Sequence, residues 1–173
     1  MADQVSAILS HFSVYLNGNE YVGVADVDLP DLESMTETIS GAGINGDIDS
    51  PILGHFGSMT ATINWRVLEN ANFKLARQEV HHIDFRGSLQ VIDKQIGTFD
   101  HVPVKVTIRG IPKNTPLGSF AVGSTMDNSN ELEVIYIKIL YNGETKVEID
   151  KFNFICVIDG TDFLAKVRTN LGM

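Results

Sequence analysis

The 173-residue sequence predicts a mainly β protein with two short helices and two long loops. Several segments alternate apolar and polar residues with the period of two that a half-buried strand shows. Asn-Gly pairs at 17–18 and 142–143 each lie between strand formers, which is the strongest short-range hairpin signal. These segments predict about seven or eight strands. The length of the chain favours a single domain covering residues 1–173, and no repeat of 20–50 residues is visible.

The first element is a hairpin around Asn17-Gly18, because both residues tolerate a positive φ. Pro30 restricts its second strand to an edge or an end. The strand formers on the two sides of the turn are Val14, Leu16, Tyr21, Val22 and Val24.

Residues 31–57 are predicted to form a long loop or flexible arm, because glycines and Pro51 interrupt every periodicity there. Loops longer than about 12–15 residues are usually functional or disordered. The glycines of this segment are Gly41, Gly43, Gly46, Gly54 and Gly57.

Strand periodicity resumes at residues 59–66 and recurs at 81–93 and 102–110, where apolar and polar side chains alternate. One face of each strand should therefore pack on a core while the other meets water. Residues 68–79 are the best helical candidate in this part of the chain. Their apolar side is formed by Leu68, Ala71 and Leu75.

A second long loop, at residues 110–130, precedes a hairpin that turns at Asn142-Gly143. The first strand of this hairpin, residues 134–140, is apolar on both faces except at Lys138, so we expect both faces to be covered. The chain closes with a short helix. Its predicted N-cap is Thr161, with Asp162 favouring the first turn and Arg168 the last.

Composition narrows the possible functions. The net charge of −9 has the wrong sign for tight nucleic-acid binding, which depends on Lys and Arg neutralising phosphates. Cys156, the only cysteine, lies in an apolar run and is expected to be a buried, inert thiol in a protein that folds in a reducing cytoplasm. Neither a signal peptide nor a run of about 20 apolar residues is visible, so no membrane insertion is expected.

The spacing of Gly41, Gly43 and Gly46 matches the G-x-G-x-x-G pattern of dinucleotide-binding turns. That turn must follow an apolar strand and open a helix, whereas polar residues precede these glycines and Pro51 follows them. Asp47 and Asp49 would also place negative charge beside a pyrophosphate. We therefore interpret the glycines as a source of backbone freedom and expect no cofactor.

Neither a metal site nor a catalytic centre is predicted. His81 and His82 are adjacent, and neighbouring side chains on a strand point to opposite faces. The other histidines, His11, His55 and His101, lie in unrelated contexts, so structural or surface roles are expected. The i, i+2 acidic pairs could mimic catalytic carboxylates, but a solvated strand face explains them more simply. These pairs are Glu131/Glu133 and Glu148/Asp150.

Polar strand faces, strand edges that need partners and a glycine-rich arm favour assembly. From about residue 12 to its carboxyl terminus, the sequence resembles the major tail tube proteins of contractile-tailed phages and of phage-tail-like bacteriocins. The most specific segments are, in order, VYLNGNEYVGVADVDLPDL, GAGINGD and LYNGETKVEIDKFNFICVIDGTDFLAKVRTNLGM.

This resemblance implies a small antiparallel β-sandwich or barrel with a flanking helix, and neither catalytic residues nor a cofactor. Six copies would form a ring by joining their sheets into one barrel around a channel. Stacked rings would form the rigid inner tube that a contracting sheath drives through a cell envelope. The implied partners are other copies, the tail sheath, a baseplate or initiator complex and a tape-measure protein. Assembly would occur in the bacterial cytoplasm, and the final location would be a virion tail or a released tail-like particle.

Within such a tube we expect a hydrated channel wall, and an overall negative charge that repels passing phosphates. Lys105 fits that charge argument poorly, and an acid on a neighbouring strand is an alternative partner for it. The expected channel-lining residues are Thr60, Thr62, Asn64, Lys105 and Thr107.

Residues 40–57 of this arm are expected to mediate contacts between subunits and between rings. Its apolar side chains become favourable to bury only when a neighbour covers them, so the arm should be mobile in a monomer and ordered in a tube. The residues assigned to these contacts are Gly41, Gly43, Ile44, Asn45, Gly46, Ile48, Ile52 and Leu53.

Two alternatives stay open at this level. One is the tube component of a type VI-like secretion system, which shares the architecture. The other is a monomeric ligand-binding β-barrel in which residues 31–57 are a solvated loop. The sequence also leaves open whether the tube conducts a genome or belongs to a headless bacteriocin particle.

Overall fold

A computed structural model describes residues 4–23 and 26–173 and confirms the mainly β class, with 57% strand and 8% helix. Val24, which was expected in the second strand, lies outside the described residues. The strands are β1 (Gln4–Leu16), β2 (Glu20–Val22), β3 (Asp26–Asp28), β4 (Ser34–Ile39), β5 (Ile48–Phe56), β6 (Thr60–Trp65), β7 (His81–Asp93), β8 (Phe99–Asn114), β9 (Asn128–Tyr141), β10 (Glu144–Asp150), β11 (Ile155–Ile158) and β12 (Thr161–Asp162). The helices are α1 (Asn70–Leu75) and α2 (Ala165–Leu171).

Ten of these strands form one antiparallel sheet, and eight of the ten follow the order β12-β11-β10-β9-β8-β7-β1-β2. Strand β6 pairs with the amino-terminal half of β9, and β3 pairs with β6. Both Asn-Gly turns form as predicted. Asn17 and Asn142 each have a φ of 50°, and the glycine after each is also in the left-handed region.

The sheet encloses a hydrophobic core to which β1, β6, β7, β8, β9 and β10 contribute alternate residues. Helix α1 closes one end of the core, where Ala71 and Leu75 are buried as the helical periodicity predicts. Trp65 is buried beside them and donates from Nε1 to Asn130 Oδ1 at 2.9 Å, and Asn72 Nδ2 donates to the same oxygen at 2.8 Å. Close-packed side chains therefore fill the interior.

The prediction of a loop over residues 31–57 was wrong, because this segment forms the separate two-stranded hairpin β4–β5. Thr38 pairs with Asp49, and Ile39 pairs with Ile48. All six residues of β4 are exposed, so neither face of the strand is buried and the sequence carries no alternation to indicate it.

The second predicted loop is shorter than expected. β8 continues to Asn114 and β9 begins at Asn128, which leaves residues 115–127 as the connection. Bulges shift the register after Arg109 and after Pro112, and they interrupt the alternation from which the strand end would be predicted.

Two expectations for the carboxyl-terminal third were also incorrect. The N-cap of α2 is Leu164 rather than Thr161, because Thr161 and Asp162 form the short strand β12. Residues 134–140 are not covered on both faces. Val134 and Ile137 are buried in the core, whereas the residues of the other face are only half-buried.

Candidate functional site: assembly surfaces

The side of the sheet opposite the core is lined by polar and charged residues, and we call it the polar face. It exists because alternate residues of β1 and β6–β10 point away from the core. Acids and bases on neighbouring strands lie opposite each other across it. Its described members include Tyr15, His82, Asp84, Arg86, Lys105, Thr107, Arg109, Tyr136, Lys138 and Glu148.

Asp84 on β7 is the most enclosed carboxylate of the polar face, with a side chain only 4% exposed. It accepts a 2.6 Å hydrogen bond from Thr107 Oγ1, and Lys105 Nζ lies 3.1 Å from its other oxygen. Arg86 Nη2 is 3.5 Å from that second oxygen. Burial raises the pKa of Asp84, but the hydrogen bonds from Thr107 and Lys105 outweigh burial and hold the pKa below its usual value.

A second charged group joins β8, β9 and β10. Arg109 Nη2 lies 2.9 Å from Asp150 Oδ2, and its guanidinium stacks 4.2 Å from the centre of the Tyr136 ring. Tyr136 donates to Glu148, which also pairs with Lys138 at 3.3 Å. Burial and the Glu148 carboxylate together raise the pKa of Tyr136 to about 12. The hydroxyl therefore remains a neutral donor at any physiological pH.

The five expected channel-lining residues lie on the side of the sheet opposite the core. Lys105 and Thr107 are on β8, and β6 carries the three others, Thr60, Thr62 and Asn64, between buried neighbours. Lys113 Nζ donates to Thr60 Oγ1 at 2.6 Å, which connects the two strands. The ion pair between Lys105 and Asp84 confirms that this lysine pairs with an acid on a neighbouring strand. That these residues line a channel stays a prediction.

The negative charge of the chain is concentrated in its first part. Residues 1–65 contain nine Asp or Glu and no Lys or Arg, whereas residues 66–173 contain 13 of each and are neutral. The polar face itself carries acids and bases paired across neighbouring strands, and the expectation that the overall negative charge repels passing phosphates stays a prediction. The arm, residues 31–57, carries five exposed acidic residues and no basic one.

The arm forms an exposed hairpin that contacts the rest of the chain at its base. Gly54 has a φ of +73°, and a Cβ atom placed there would lie 2.6 Å from the Leu164 side chain. Gly57 N–H donates to the Glu33 carbonyl at 3.0 Å. Several apolar side chains of the expected contact set are exposed. They are Ile44, Ile48, Ile52 and Leu53.

Strand β1 has an open edge that sequence reasoning missed. β2 covers only residues 14–16 of β1, so within residues 4–23 and 26–173 the edge of residues 4–13 faces no other strand. This edge is about 30 Å long at the usual rise per residue. Two bulges in its pairing with β7 disrupt the alternation that would have indicated a strand. The exposed apolar residues beside the edge include Val5, Ile8, Leu9 and Phe12.

The β8–β9 connection also carries exposed apolar side chains, which were not identified from the sequence as a contact surface. Phe120 is 91% exposed and Val122 is fully exposed. The only sequence signal was their occurrence in a stretch rich in Gly and Ser, where large apolar residues are uncommon.

The dinucleotide-like glycines lie in the turn between β4 and β5. Gly41, Gly43 and Gly46 have φ values of 141°, 96° and 126°, which confirms that they supply backbone freedom. A strand, not a helix, follows them, so the Rossmann context is missing. The thiol of Cys156 is buried as predicted, and burial raises its pKa.

The remaining titratable candidates have structural partners. His81 is buried and its ring lies 2.9 Å from the Arg77 carbonyl, whereas His82 is exposed on the other face, as strand geometry predicts. Burial raises the pKa of Glu133, but hydrogen bonds from Ser58 and the Met59 N–H lower it overall. The pKa of Asp150 is also lowered overall. A carboxyl group that acts as a general acid needs a raised pKa, so the lowered pKa values of Glu133 and Asp150 do not favour that role.

These surfaces define a class of protein: a β-barrel-like protomer with an open sheet edge, one polar sheet face and a projecting hairpin. Within the described residues, no helix has the length and apolar character needed to cross a membrane.

Comparison with known proteins identifies the family. The family model described as phage tail tube protein FII matches residues 6–172, so the chain belongs to this family. The tail tube protein of Escherichia phage P2 is 30% identical over 175 residues, which cover 95% of this chain and 96% of the relative. These matches confirm the family suggested by the sequence.

Solved structures support the same fold. A chain of the sheath/tube terminator of the extracellular contractile injection system PVC superposes with a TM-score of 0.56 at 17% identity, over 79% of this chain and 97% of that one. A chain of the tube-terminating cap of the anti-feeding prophage gives a TM-score of 0.55 at 18% identity, over 79% and 93%. The protein therefore has the fold found in contractile injection machines.

Proposed function

We propose that this chain is the inner-tube subunit of a contractile phage tail or tail-like bacteriocin particle, polymerising as stacked hexameric rings. The tube is the channel driven through the target envelope. The observation that carries the proposal is the open edge of β1, residues 4–13, in a sheet with one polar face. An unpaired edge of this length is an aggregation hazard in a monomer, and closing sheets into a ring removes it.

The layering of the protomer supports the proposal that the polar face lines the channel. The hydrophobic core, to which α1 contributes Ala71 and Leu75, packs on one side of the long strands β7–β9, and within the described residues no hydrophobic cluster packs on the polar face. In a closed ring the inner circumference is the smaller one, so the thin polar face belongs inside. Its ion pairs keep the wall hydrated and place an acid beside each of Lys105, Arg109 and Lys138, which weakens their attraction for a passing phosphate chain.

The proposed partners follow from the same assignment. Other copies complete the sheet, a sheath surrounds the tube, and a baseplate or initiator and a tape-measure protein set its start and length. Support comes from the related structures, whose descriptions include a sheath–tube complex and a baseplate. We place assembly in the bacterial cytoplasm, where a single buried thiol such as Cys156 stays reduced.

Hydrogen exchange tests the open edge directly. In the monomer, amides of residues 4–13 that point away from β7 should exchange quickly, and in assembled tubes they should become protected. Amides in the centre of β8, which lies between two strands in the monomer, should be protected in both states and serve as the control. Equal exchange of residues 4–13 in monomer and tube would contradict the proposal.

Cysteine labelling tests the channel assignment. In free subunits, Thr62→Cys and Thr107→Cys should react with both a small and a bulky thiol reagent. In long tubes, both variants should lose their reactivity toward the bulky reagent. Asp159→Cys, on an exposed turn, should react with both reagents in either state. Reaction of the two threonine positions with a bulky reagent along intact tubes would place them outside and refute the assignment.

We further propose that the arm joins neighbouring subunits and successive rings. Deleting residues 41–53 should abolish polymerisation and leave the fold intact, because β4 and β5 form a separate two-stranded sheet that pairs with no other described strand. Thermal unfolding and circular dichroism of the deletion variant provide the control for folding. Normal tubes from this variant would contradict the role of the arm.

A further inference from the structure

Helix α2 lacks the packing that a short helix requires. It has seven residues, and none of them is buried. Helices of this length are marginal in water and depend on packing of an apolar face. Val167 and Leu171 are 38% and 59% exposed, and they continue an apolar stripe that begins at the buried Leu164. The stripe therefore presents an uncovered apolar surface.

A complementary groove lies near the other end of the sheet. It has a volume of about 370 Å³ and opens between β3 and the strands β1, β7 and β8. Its floor includes Gly87, where the side chains of Leu9 and Val104 come within 2.9 Å of the position a Cβ atom would take. The groove is mainly apolar, and Asp26 and Asp28 add negative charge.

We propose that α2 of one copy packs into this groove of the next copy around the ring. The inference rests on the proposed ring and specifies a contact within it. α2 follows β12 at one end of the sheet order, and the groove lies at the β1 end. A ring built by repeated rotation brings these two different ends together at every interface. The exposed apolar stripe of one copy then meets the apolar groove of the next.

Charge supports the same pairing. Lys166 on α2 is exposed, and no carboxylate in the described part of the chain lies within ion-pair distance of it. Placed at the groove, its ammonium would approach Asp26 and Asp28. The arm is a poorer occupant, because its five acidic residues would meet those two aspartates. Residues 115–127 lie at the far end of β8 along the strand direction, not at the lateral end of the sheet.

Crosslinking of assembled protein tests the contact. The double variant Leu9→Cys/Leu171→Cys, treated with a mild oxidant or a short bis-maleimide, should give a ladder of covalent oligomers ending at six. Each single variant should give none, because the native Cys156 is buried. Competing occupants are tested by pairing Leu9→Cys with Ile52→Cys in the arm or with Phe120→Cys.

The outcomes separate this inference from the proposed function. Normal tubes without a Leu9/Leu171 ladder, or with a ladder from Ile52 or Phe120 instead, would overturn the α2 contact and leave the tube assignment intact. Absence of rings under every condition would overturn both.

A charge-reversal series tests the electrostatic part of the contact. Lys166→Glu should raise the critical concentration for polymerisation roughly two- to fivefold, the range of an exposed ion pair. Asp26→Lys in the same chain should restore it. Lys146→Glu reverses another exposed lysine, whose partners Glu144 and Asp159 lie outside the groove, and should leave polymerisation unchanged. No rescue by Asp26→Lys would contradict the pairing.

Discussion

Replacing Asp84 should lower the free energy of unfolding more than replacing any exposed acid. Asp84→Asn keeps the shape of the side chain and removes its charge, and Thr107 can still donate to the remaining oxygen. The substitution therefore removes only the stabilisation that the charge of Asp84 adds to its contacts with Lys105 and Arg86. Those two side chains are 40% and 44% exposed, so water can solvate them in the variant. Hydrogen bonds to charged groups contribute about 1.5–3 kcal/mol, so we expect a loss of about 2 kcal/mol in the free energy of unfolding.

Urea unfolding of single subunits measures this loss. At this chain length it corresponds to a fall of roughly 4–8 °C in Tm. Asp159→Asn is the matched control: its side chain is 80% exposed and pairs with Lys146, so it should cost less than about 0.5 kcal/mol. A cost for Asp84→Asn no larger than that of the control would refute the reasoning.

The stabilisation contributed by Asp84 should decrease as the pH falls. The folded pKa of Asp84 is lowered, so its stabilisation is present above the unfolded pKa, about 3.9, and is lost as the pH falls through the folded value. The unfolding free energies of wild type and Asp84→Asn should therefore converge as the pH is lowered from 7 towards 3. An equal difference at both pH values would show that shape, not charge, causes the loss.

Two further predictions concern packing. Gly54→Ala should cost roughly 2 kcal/mol, because it combines a positive φ with a clash against the Leu164 side chain. Gly43→Ala also strains a positive φ but meets no neighbouring atom, so it should cost only about 1 kcal/mol. Equal effects of the two substitutions in urea unfolding would contradict this. Asn130→Ala should cost about 3 kcal/mol by leaving the Trp65 indole N–H and a buried amide without an acceptor, and a calorimetric loss below about 1 kcal/mol would contradict it.

Much of the fold could be predicted because one face of most strands is buried. The alternation of residues 81–93 and 102–110 reflects a core on one side and water on the other, and both segments are strands. The two Asn-Gly turns depend only on local backbone preference and were also predicted correctly. Helix α1 was found because its buried residues repeat at helical spacing.

The rest could not be predicted because its folding does not depend on burial within one chain. The strands of the arm have no buried face, and bulges break the periodicity of β1. An acid on a neighbouring strand was anticipated as the partner of Lys105, and Asp84 is that acid. The open edge of β1 and the groove near β3 depend on which strands become neighbours, and a single sequence does not reveal that.

The central claim is that copies of this chain complete one another's sheets into a ring with the polar face inside. Electron cryomicroscopy of polymer grown from an initiator complex tests it most directly. We expect stacked six-membered rings in which residues 4–13 pair with a strand of the next subunit and Asp84 and Lys105 face the channel. Single molecules that never polymerise, or a polymer with the polar face outside and β1 unpaired, would contradict the account.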